Sequence, residues 1–206
     1  MGKFITFEGI EGAGKSTALE FMQKCLQKNG IEVVVTREPG GTKISEAIRK
    51  LLLDHNDEVM AADTELLLYF ASRAQHIAQV IKPALAAGKI ILCDRFTDSS
   101  FAYQCGGRGI SEKRIEILEQ WVHQGLQPDL TILMDLPVSV GRERAKKRSA
   151  LDRIEVEQNS FFEKVRAHYL KRAEKYSKRF RVVDASVPLS QLKKTLQNII
   201  NEIVGA

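Results

Sequence analysis

Lys3-Phe4-Ile5-Thr6-Phe7-Glu8-Gly9-Ile10-Glu11-Gly12-Ala13-Gly14-Lys15-Ser16-Thr17 decides the fold. An apolar run of strand length, Phe4 to Phe7, leads into a complete GxxxxGK[ST] motif at Gly9 to Ser16, and Thr17-Ala18-Leu19 then opens a helical pattern. Strand, glycine-rich turn and helix in that order make a phosphate cradle. The glycines let the backbone close on an anion with its N–H groups inward, and the helix N-terminus adds positive partial charge. Gly9, Ile10, Glu11, Gly12, Ala13, Gly14, Lys15, Ser16 and Thr17 are therefore the candidate ATP-binding residues. Lys15 would neutralise the β- and γ-phosphates, and Ser16 would ligate Mg2+.

Outward from this motif, further short β-branched runs recur between helix-length stretches: Glu32–Thr36, Lys89–Cys93, Leu130–Met134 and Arg181–Val183. With Lys3–Phe7 they read as buried parallel strands with crossover helices on both faces, a three-layer α/β/α P-loop NTPase fold. The first helix should end near Asn29-Gly30, where glycine supplies the left-handed position. Asp63 is expected to cap a helix from Thr64 toward Val80, with Pro83 kinking or restarting it. Ser111 is expected to cap a helix carrying Ile115, Leu118 and Val122, and Leu189, Leu192, Leu196, Ile199 and Ile203 form the stripe of a last helix. No linker interrupts the chain, so residues 1–206 read as a single domain.

A net charge of +5 suits a polyanionic partner, but the basic residues are scattered apart from one cluster at Arg142 to Arg148. That pattern fits phosphate contacts better than a nucleic-acid stripe, so no nucleic-acid partner is expected. No apolar stretch approaches the ~20 residues of a membrane span, and Met1-Gly2-Lys3 runs straight into the first strand. Cys25, Cys93 and Cys105 are odd in number without metal-type spacing, which points to reduced thiols and a cytoplasmic protein. The four histidines show no ligand spacing and receive no role.

Among P-loop proteins a GTPase is disfavoured, because the chain has neither Asn-Lys-x-Asp nor an Asp-x-x-Gly switch. Apolar runs end in an aspartate at Asp94 and at Asp135, and either could organise Mg2+ at a strand's carboxyl end. Only Asp94 is followed by an arginine, Arg95, suited to an acceptor phosphate.

Three segments then carry a resemblance: Phe7 to Ser16, Thr36-Arg37-Glu38-Pro39-Gly40-Gly41-Thr42, and Asp94-Arg95-Phe96-Thr97-Asp98-Ser99-Ser100-Phe101-Ala102-Tyr103-Gln104, with Pro128 to Thr131 and Leu151-Asp152-Arg153 adding to it. The chain resembles the bacterial-type thymidylate kinases from Phe4 to its last helix. The resemblance implies a five-stranded parallel sheet, a lid at residues 141–153 closing over ATP, a homodimer, and transfer of phosphate from MgATP to dTMP. It also implies residue roles. Arg49 and Arg95 would grip the dTMP phosphate with Arg37 nearby, Glu11 would meet the sugar 3′-OH, and Tyr103 would press on C2′. Arg73 would bond the pyrimidine edge, with Ser100 and Gln104 completing the pocket.

One departure concerns the residue stacking on the base, usually Phe in the family. Here it is Tyr69, four residues before Arg73, with Phe70 beside it. Arg148 matches the family's lid arginine and is the catalytic candidate with Lys15 and Arg95, while Arg144 is the second lid candidate on ATP. Asp152 and Arg153 are expected to pair at the base of the lid. Two rival readings remain: a kinase for dUMP or CMP, and a P-loop regulatory or nucleic-acid-binding ATPase.

Overall fold

The computed structural model describes residues 2–55, 57–148 and 152–205, the side chain of Arg148 excepted. Strands β1 (Lys3–Glu8), β2 (Val33–Arg37), β3 (Ile90–Asp94), β4 (Leu130–Asp135) and β5 (Phe180–Asp184) form one sheet in the order β2-β3-β1-β4-β5, with every pairing parallel. Apolar patterning misses their charged last residues. The backbone ladder includes them, so that Arg37 pairs in register with Asp94, and Asp135 with Asp184. Charge thus collects along the carboxyl edge of the sheet, where ligands of open α/β folds bind.

Side chains alternate across β1 and β3 and so feed two cores. Ile5, Phe7 and Leu92 join one with Met22 and Leu26 of α1 (Lys15–Lys28), Phe162 of α8 (Asn159–Lys175) and Leu196 of α9 (Leu189–Val204). Phe4, Ile91 and Cys93 face the other, against Ile77 and Ile81. Both faces of the sheet are covered, as the unbroken apolar runs require.

The end of α1 follows the expectation. Gly30 adopts φ +75°, its N–H reaches Gln27 O at 3.0 Å, and Ile31 N–H reaches Leu26 O at 3.2 Å, the paired bonds of a Schellman turn. Helix α2 (Lys43–Leu53) is capped by Thr42, whose hydroxyl accepts from Ser45 N–H at 3.1 Å.

Two other caps differ from expectation. Helix α3 (Ala62–His76) starts from Ala61, so Asp63 lies inside its first turn, where the helix's positive end favours a carboxylate, and pairs with Arg114 at 2.8 Å. Ser111 does precede α6 (Glu112–His123), but its side chain makes no capping bond. Between α3 and the short α4 (Lys82–Ala86), residues Ile77–Ile81 form a π-helical turn, and Pro83 sits in the first turn of α4, where its missing N–H costs little. A second π-helical stretch, Phe101–Gly107, follows α5 (Thr97–Ser100), and α7 (Val138–Arg148) follows β4.

Candidate active site

The P-loop is held open by backbone that only glycine tolerates. At Gly9, φ +135°, a Cβ would stand 2.4 Å from Met134 O; at Gly12, φ +74°, it would stand 2.1 Å from Gly141 O. Gly141 on α7 is pressed just as closely, since its own Cβ would lie 2.7 Å from Glu11 O. Gly14, φ +83°, caps α1 without a side-chain bond, so the first-turn N–H groups stay available to an anion. Ile10 and Ala13 bury their side chains in the core and can offer a ligand only their backbone. Lys15 folds back onto the loop, its Nζ donating to Gly9 O and Ile10 O at 3.1 Å each. Burial, then the nearby Arg95, lowers its pKa to about 8.

Lys15 lines a single cleft with Glu11, Arg49, Tyr69, Arg73, Asp94, Arg95, Ser100, Tyr103 and Gln104, which brings together most of the residues singled out in the sequence. Arg95, at the strained φ +70°, is its centre. The guanidinium donates to Gly9 O at 2.9 Å, Glu11 Oε1 at 2.7 Å, and the hydroxyls of Tyr103 and Tyr169 at 3.1 Å each. It also lies 4.9 Å over the Tyr103 ring. The Tyr103 hydroxyl in turn lies 2.7 Å from both Glu11 oxygens.

Beneath Arg95 lies a group that the sequence reading missed. Glu8, fully buried, accepts from Phe96 N–H at 2.8 Å, Ser99 Oγ at 2.6 Å and Tyr169 Oη at 2.8 Å. Burial, and then Asp98, pushes the Glu8 pKa up to about 7. The one signal available was an acidic residue closing an apolar strand.

On the other side of the cleft Arg73 is buried, donating from Nε to Glu38 Oε2 at 2.7 Å and from Nη1 to Ser100 Oγ at 3.0 Å. Glu38 Oε1 meets His76 Nδ1 at 2.9 Å, and His76 Nε2 meets Thr36 Oγ1 at 2.7 Å. His76 therefore has a structural role that spacing did not show. Phe70 lies under the Arg73 guanidinium at 4.7 Å and in the core, which leaves Tyr69 as the aromatic side chain of the pair that faces the cleft. Arg49 is anchored on Pro39 O at 2.9 Å.

Several expected residues lie elsewhere. Arg37 pairs with Glu46 at 3.0 Å and lines a neighbouring groove with Ser16 and Asp94. It still contributes to the field, helping burial to lower the Arg49 pKa. Arg144, exposed on α7, reaches Ala185 O at 2.9 Å just beyond β5. Arg148 is the last residue of α7, and its side chain lies outside the described residues, as do Ser149, Ala150 and Leu151 of the segment expected to form a lid. The expected Asp152–Arg153 pair does not form. Asp152 Oδ1 instead accepts the N–H groups of Ile154 and Glu155 at 2.8 and 2.9 Å, while Arg153 turns to Glu65 Oε2 at 2.7 Å and Leu52 O at 2.8 Å, the acceptors its long side chain reaches in the α2–α3 wall.

The two strand-end aspartates also separate. Asp135 is held by Arg166 through bonds of 2.7 and 2.9 Å. Asp94 Oδ1 is buried without a hydrogen-bond partner among the described residues, in the groove it shares with Ser16. An unsatisfied carboxylate oxygen beside a hydroxyl at the mouth of a phosphate loop is a fitting donor set for a hard divalent cation.

A family model described as thymidylate kinase matches residues 7–196. The chain is 53% identical over 203 residues to the thymidylate kinase of Pseudomonas savastanoi pv. phaseolicola, covering 98% of this chain and 97% of that one. It is 55% identical to that of Pseudomonas putida strain GB-1, with the same coverage, and 55% identical over 205 residues to that of Ectopseudomonas mendocina, covering 100% and 98%.

Proposed function

The chain belongs to the thymidylate kinase family, and from that premise we propose that it transfers the γ-phosphoryl group of ATP to dTMP, giving dTDP and ADP. The observation that carries this reading is that Lys15 of the phosphate loop and Arg73, Ser100 and Gln104 of the far wall line one cleft, with Tyr103 and Arg95 between them. A donor site and an acceptor site that share a cleft suit direct transfer.

A dTMP phosphate oxygen attacks the γ-phosphorus as the bond to the ADP oxygen breaks, and no enzyme group is phosphorylated. The protein mainly positions two anions and neutralises their charge. Lys15 and the P-loop N–H groups hold the ATP phosphates. Arg95 stands between donor and acceptor, with Arg49 on the dTMP phosphate and Arg37 adding to the field. Glu11 orients the sugar 3′-OH, Tyr103 fills the space beside C2′, Tyr69 stacks on the base, and Arg73, Ser100 and Gln104 read its edge. Arg144 and Arg148 extend the ATP site from α7.

Ser16 and Asp94 would hold, directly or through water, Mg2+, which would supply charge neutralisation at the ATP phosphates. On α3 and α6, Leu67 and Trp121 are 56% and 74% exposed and line an apolar groove, which supports a homodimer through this face. No helix among the described residues is long and apolar enough to cross a membrane, and the three cysteines are unpaired, in keeping with a cytoplasmic location.

The test is incubation of the purified protein with ATP and a panel of monophosphates. Preferential conversion of dTMP is expected. Preference for dUMP or CMP would reassign the acceptor, and ATP hydrolysis indifferent to any monophosphate would favour a regulatory ATPase.

A further inference from the structure

Glu65 belongs to none of the motifs above, yet it is 1% exposed and its carboxylate accepts four hydrogen bonds. They come from Gln104 Nε2 at 3.0 Å, Arg108 Nε at 3.3 Å, Arg108 Nη2 at 3.4 Å and Arg153 Nη2 at 2.7 Å. Burial alone would raise its pKa, but the bond from Gln104 and the two guanidinium groups hold it below the usual carboxylate range. An ionised carboxylate has no proton to give. Its partner on Gln104 must therefore be the amide nitrogen, which settles an orientation that a side-chain amide otherwise leaves open.

The consequence lies on the other side of the amide. With Nε2 on Glu65, the Gln104 carbonyl oxygen receives no donor from the described residues, and Gln104 lines the cleft together with Arg73, whose guanidinium can only donate. The wall thus presents a donor and an acceptor to a base edge. A 2,4-dioxopyrimidine matches it, offering O4 to Arg73 and N3–H to Gln104. A 4-aminopyrimidine is reversed at both positions, setting an amino group against the guanidinium and the N3 lone pair against the carbonyl oxygen.

We infer that Glu65 is a specificity-determining positioning residue: by fixing the Gln104 amide it makes the cleft accept thymine-type and refuse cytosine-type monophosphates. The inference rests on the cleft being the monophosphate site. A pocket built to pair a polar edge rejects a mismatched one strongly, because its own buried groups are left unpaired.

Glu65→Gln tests it, since glutamine can present either face and frees Gln104 to flip. The kcat/KM values for dTMP, dUMP and dCMP would be compared in parent and variant. The dTMP-to-dCMP ratio should fall by about tenfold or more, while the dTMP-to-dUMP ratio, set at the 5-methyl group, stays within about twofold. If all three substrates lost rate in proportion, Glu65 would be structural support only and the inference would fail.

Glu65→Asp is the second variant, keeping the charge for Arg108 and Arg153 while withdrawing the carboxylate from Gln104, and the same narrowing is expected. Should neither variant fold, the parent serves. The Gln104 side-chain amide, identified in a 15N–1H spectrum by its loss in Gln104→Leu, should show slowed hydrogen exchange before dTMP is added and keep it afterwards. Free exchange in either state would overturn the inference. A parent that ignores dTMP in the monophosphate panel would sink the functional reading instead, and the amide measurement would still judge Glu65 separately.

Discussion

Glu38 and Arg73 meet side-on, Oε2 to Nε at 2.7 Å, with 3% and 1% of their side chains exposed. Burial acts to raise the Glu38 pKa, and Arg73 and His76 more than offset it, so the carboxylate is held below its usual range. Removing one charge of such a pair strands the other, at a cost of about 3–5 kcal/mol. Glu38→Gln should therefore lower the melting temperature. Because Arg73 lines the cleft and is proposed to read the base edge, the variant should also raise the KM for dTMP by about tenfold or more with that for ATP little changed. Chemical denaturation beside steady-state kinetics checks both, and equal effects on the two substrates would deny the pair a role on the base side.

Lys15 gives a pH prediction. Its pKa of about 8 in the free protein means that the ammonium begins to lose its proton just above neutrality. Polyphosphate favours the charged form, so the complex binds more protons than the free protein above pH 8, and ATP affinity should fall as pH rises through that value. The sign for stability is opposite. Between about 8 and 10.5 the unfolded chain holds the extra proton, so the Lys15 contribution to stability rises with pH. Calorimetry at pH 9 in buffers of different ionisation heat should show proton uptake with ATP in the parent and none in Lys15→Met. Lys15→Ala should melt normally and lose phosphoryl transfer.

What could be read in the sequence and what could not divide along physical lines. A strand buried on both faces needs an unbroken apolar run, and a phosphate loop needs glycines at fixed spacing, so β1, β3, β4 and the P-loop were legible. The edge strands β2 and β5 also showed as β-branched runs, but they are not buried on both faces, with Val35 and Val182 41% and 52% exposed. A buried carboxylate leaves no such trace. Glu38, Glu65 and Glu8 become intelligible only through partners that the fold brings from 35, 39 and 161 residues away, namely Arg73, Gln104 and Tyr169. The same holds for Arg153, which looked like the partner of its neighbour Asp152 but spans 88 residues to Glu65.

Tyr103 is fixed at its hydroxyl by Glu11 and on its face by Arg95, so its ring cannot easily yield to a larger sugar. A deoxyribose substrate should be preferred to its ribose counterpart by roughly 10–200-fold, the worth of one small group in a closed pocket. Tyr103→Phe keeps the ring and should keep much of that preference while loosening Glu11; Tyr103→Ala should narrow it. Comparable kcat/KM for dTMP and ribothymidine monophosphate in the parent would end the assignment.

Gly12 and Gly14 share a left-handed backbone but not their surroundings. A Cβ on Gly12 would strike Gly141 O at 2.1 Å, whereas one on Gly14 meets nothing within 4 Å. Gly14→Ala should therefore cost only the conformational penalty of about 1–2 kcal/mol, and Gly12→Ala should cost more and displace α7 from the P-loop. Thermal melts without nucleotide decide it, and equal losses in the two variants would remove the steric argument.

Gly12 also bears on the catalytic arginine. Some members of the family place an arginine there, and in this chain the contact with Gly141 leaves no room for one, so charge on the transferring phosphoryl group has to be met from another element. Helix α7 is the candidate element. Gly141 packs on the P-loop, and Arg148 follows seven residues later, two turns on and close to the same face, about 10 Å along the axis. Three other cations of the run are engaged: Arg142 lies 4.8 Å over the Phe162 ring, Arg144 is bonded to Ala185 O, and Lys147 pairs with Glu143 at 2.6 Å, while Lys146 is exposed. An arginine that meets transition-state charge is worth on the order of 10³–10⁵ in kcat, whereas a solvated one is worth little. Arg148→Ala should lower kcat by about a hundredfold or more while dTMP binding, proposed for a cleft that no described α7 side chain lines, changes far less; Arg144→Ala should act mainly on the KM for ATP. Steady-state kinetics beside direct dTMP titration separates the two, and a near-normal kcat in Arg148→Ala would return the run to an exposed basic helix face and leave Arg95 and Lys15 to carry the transition-state charge.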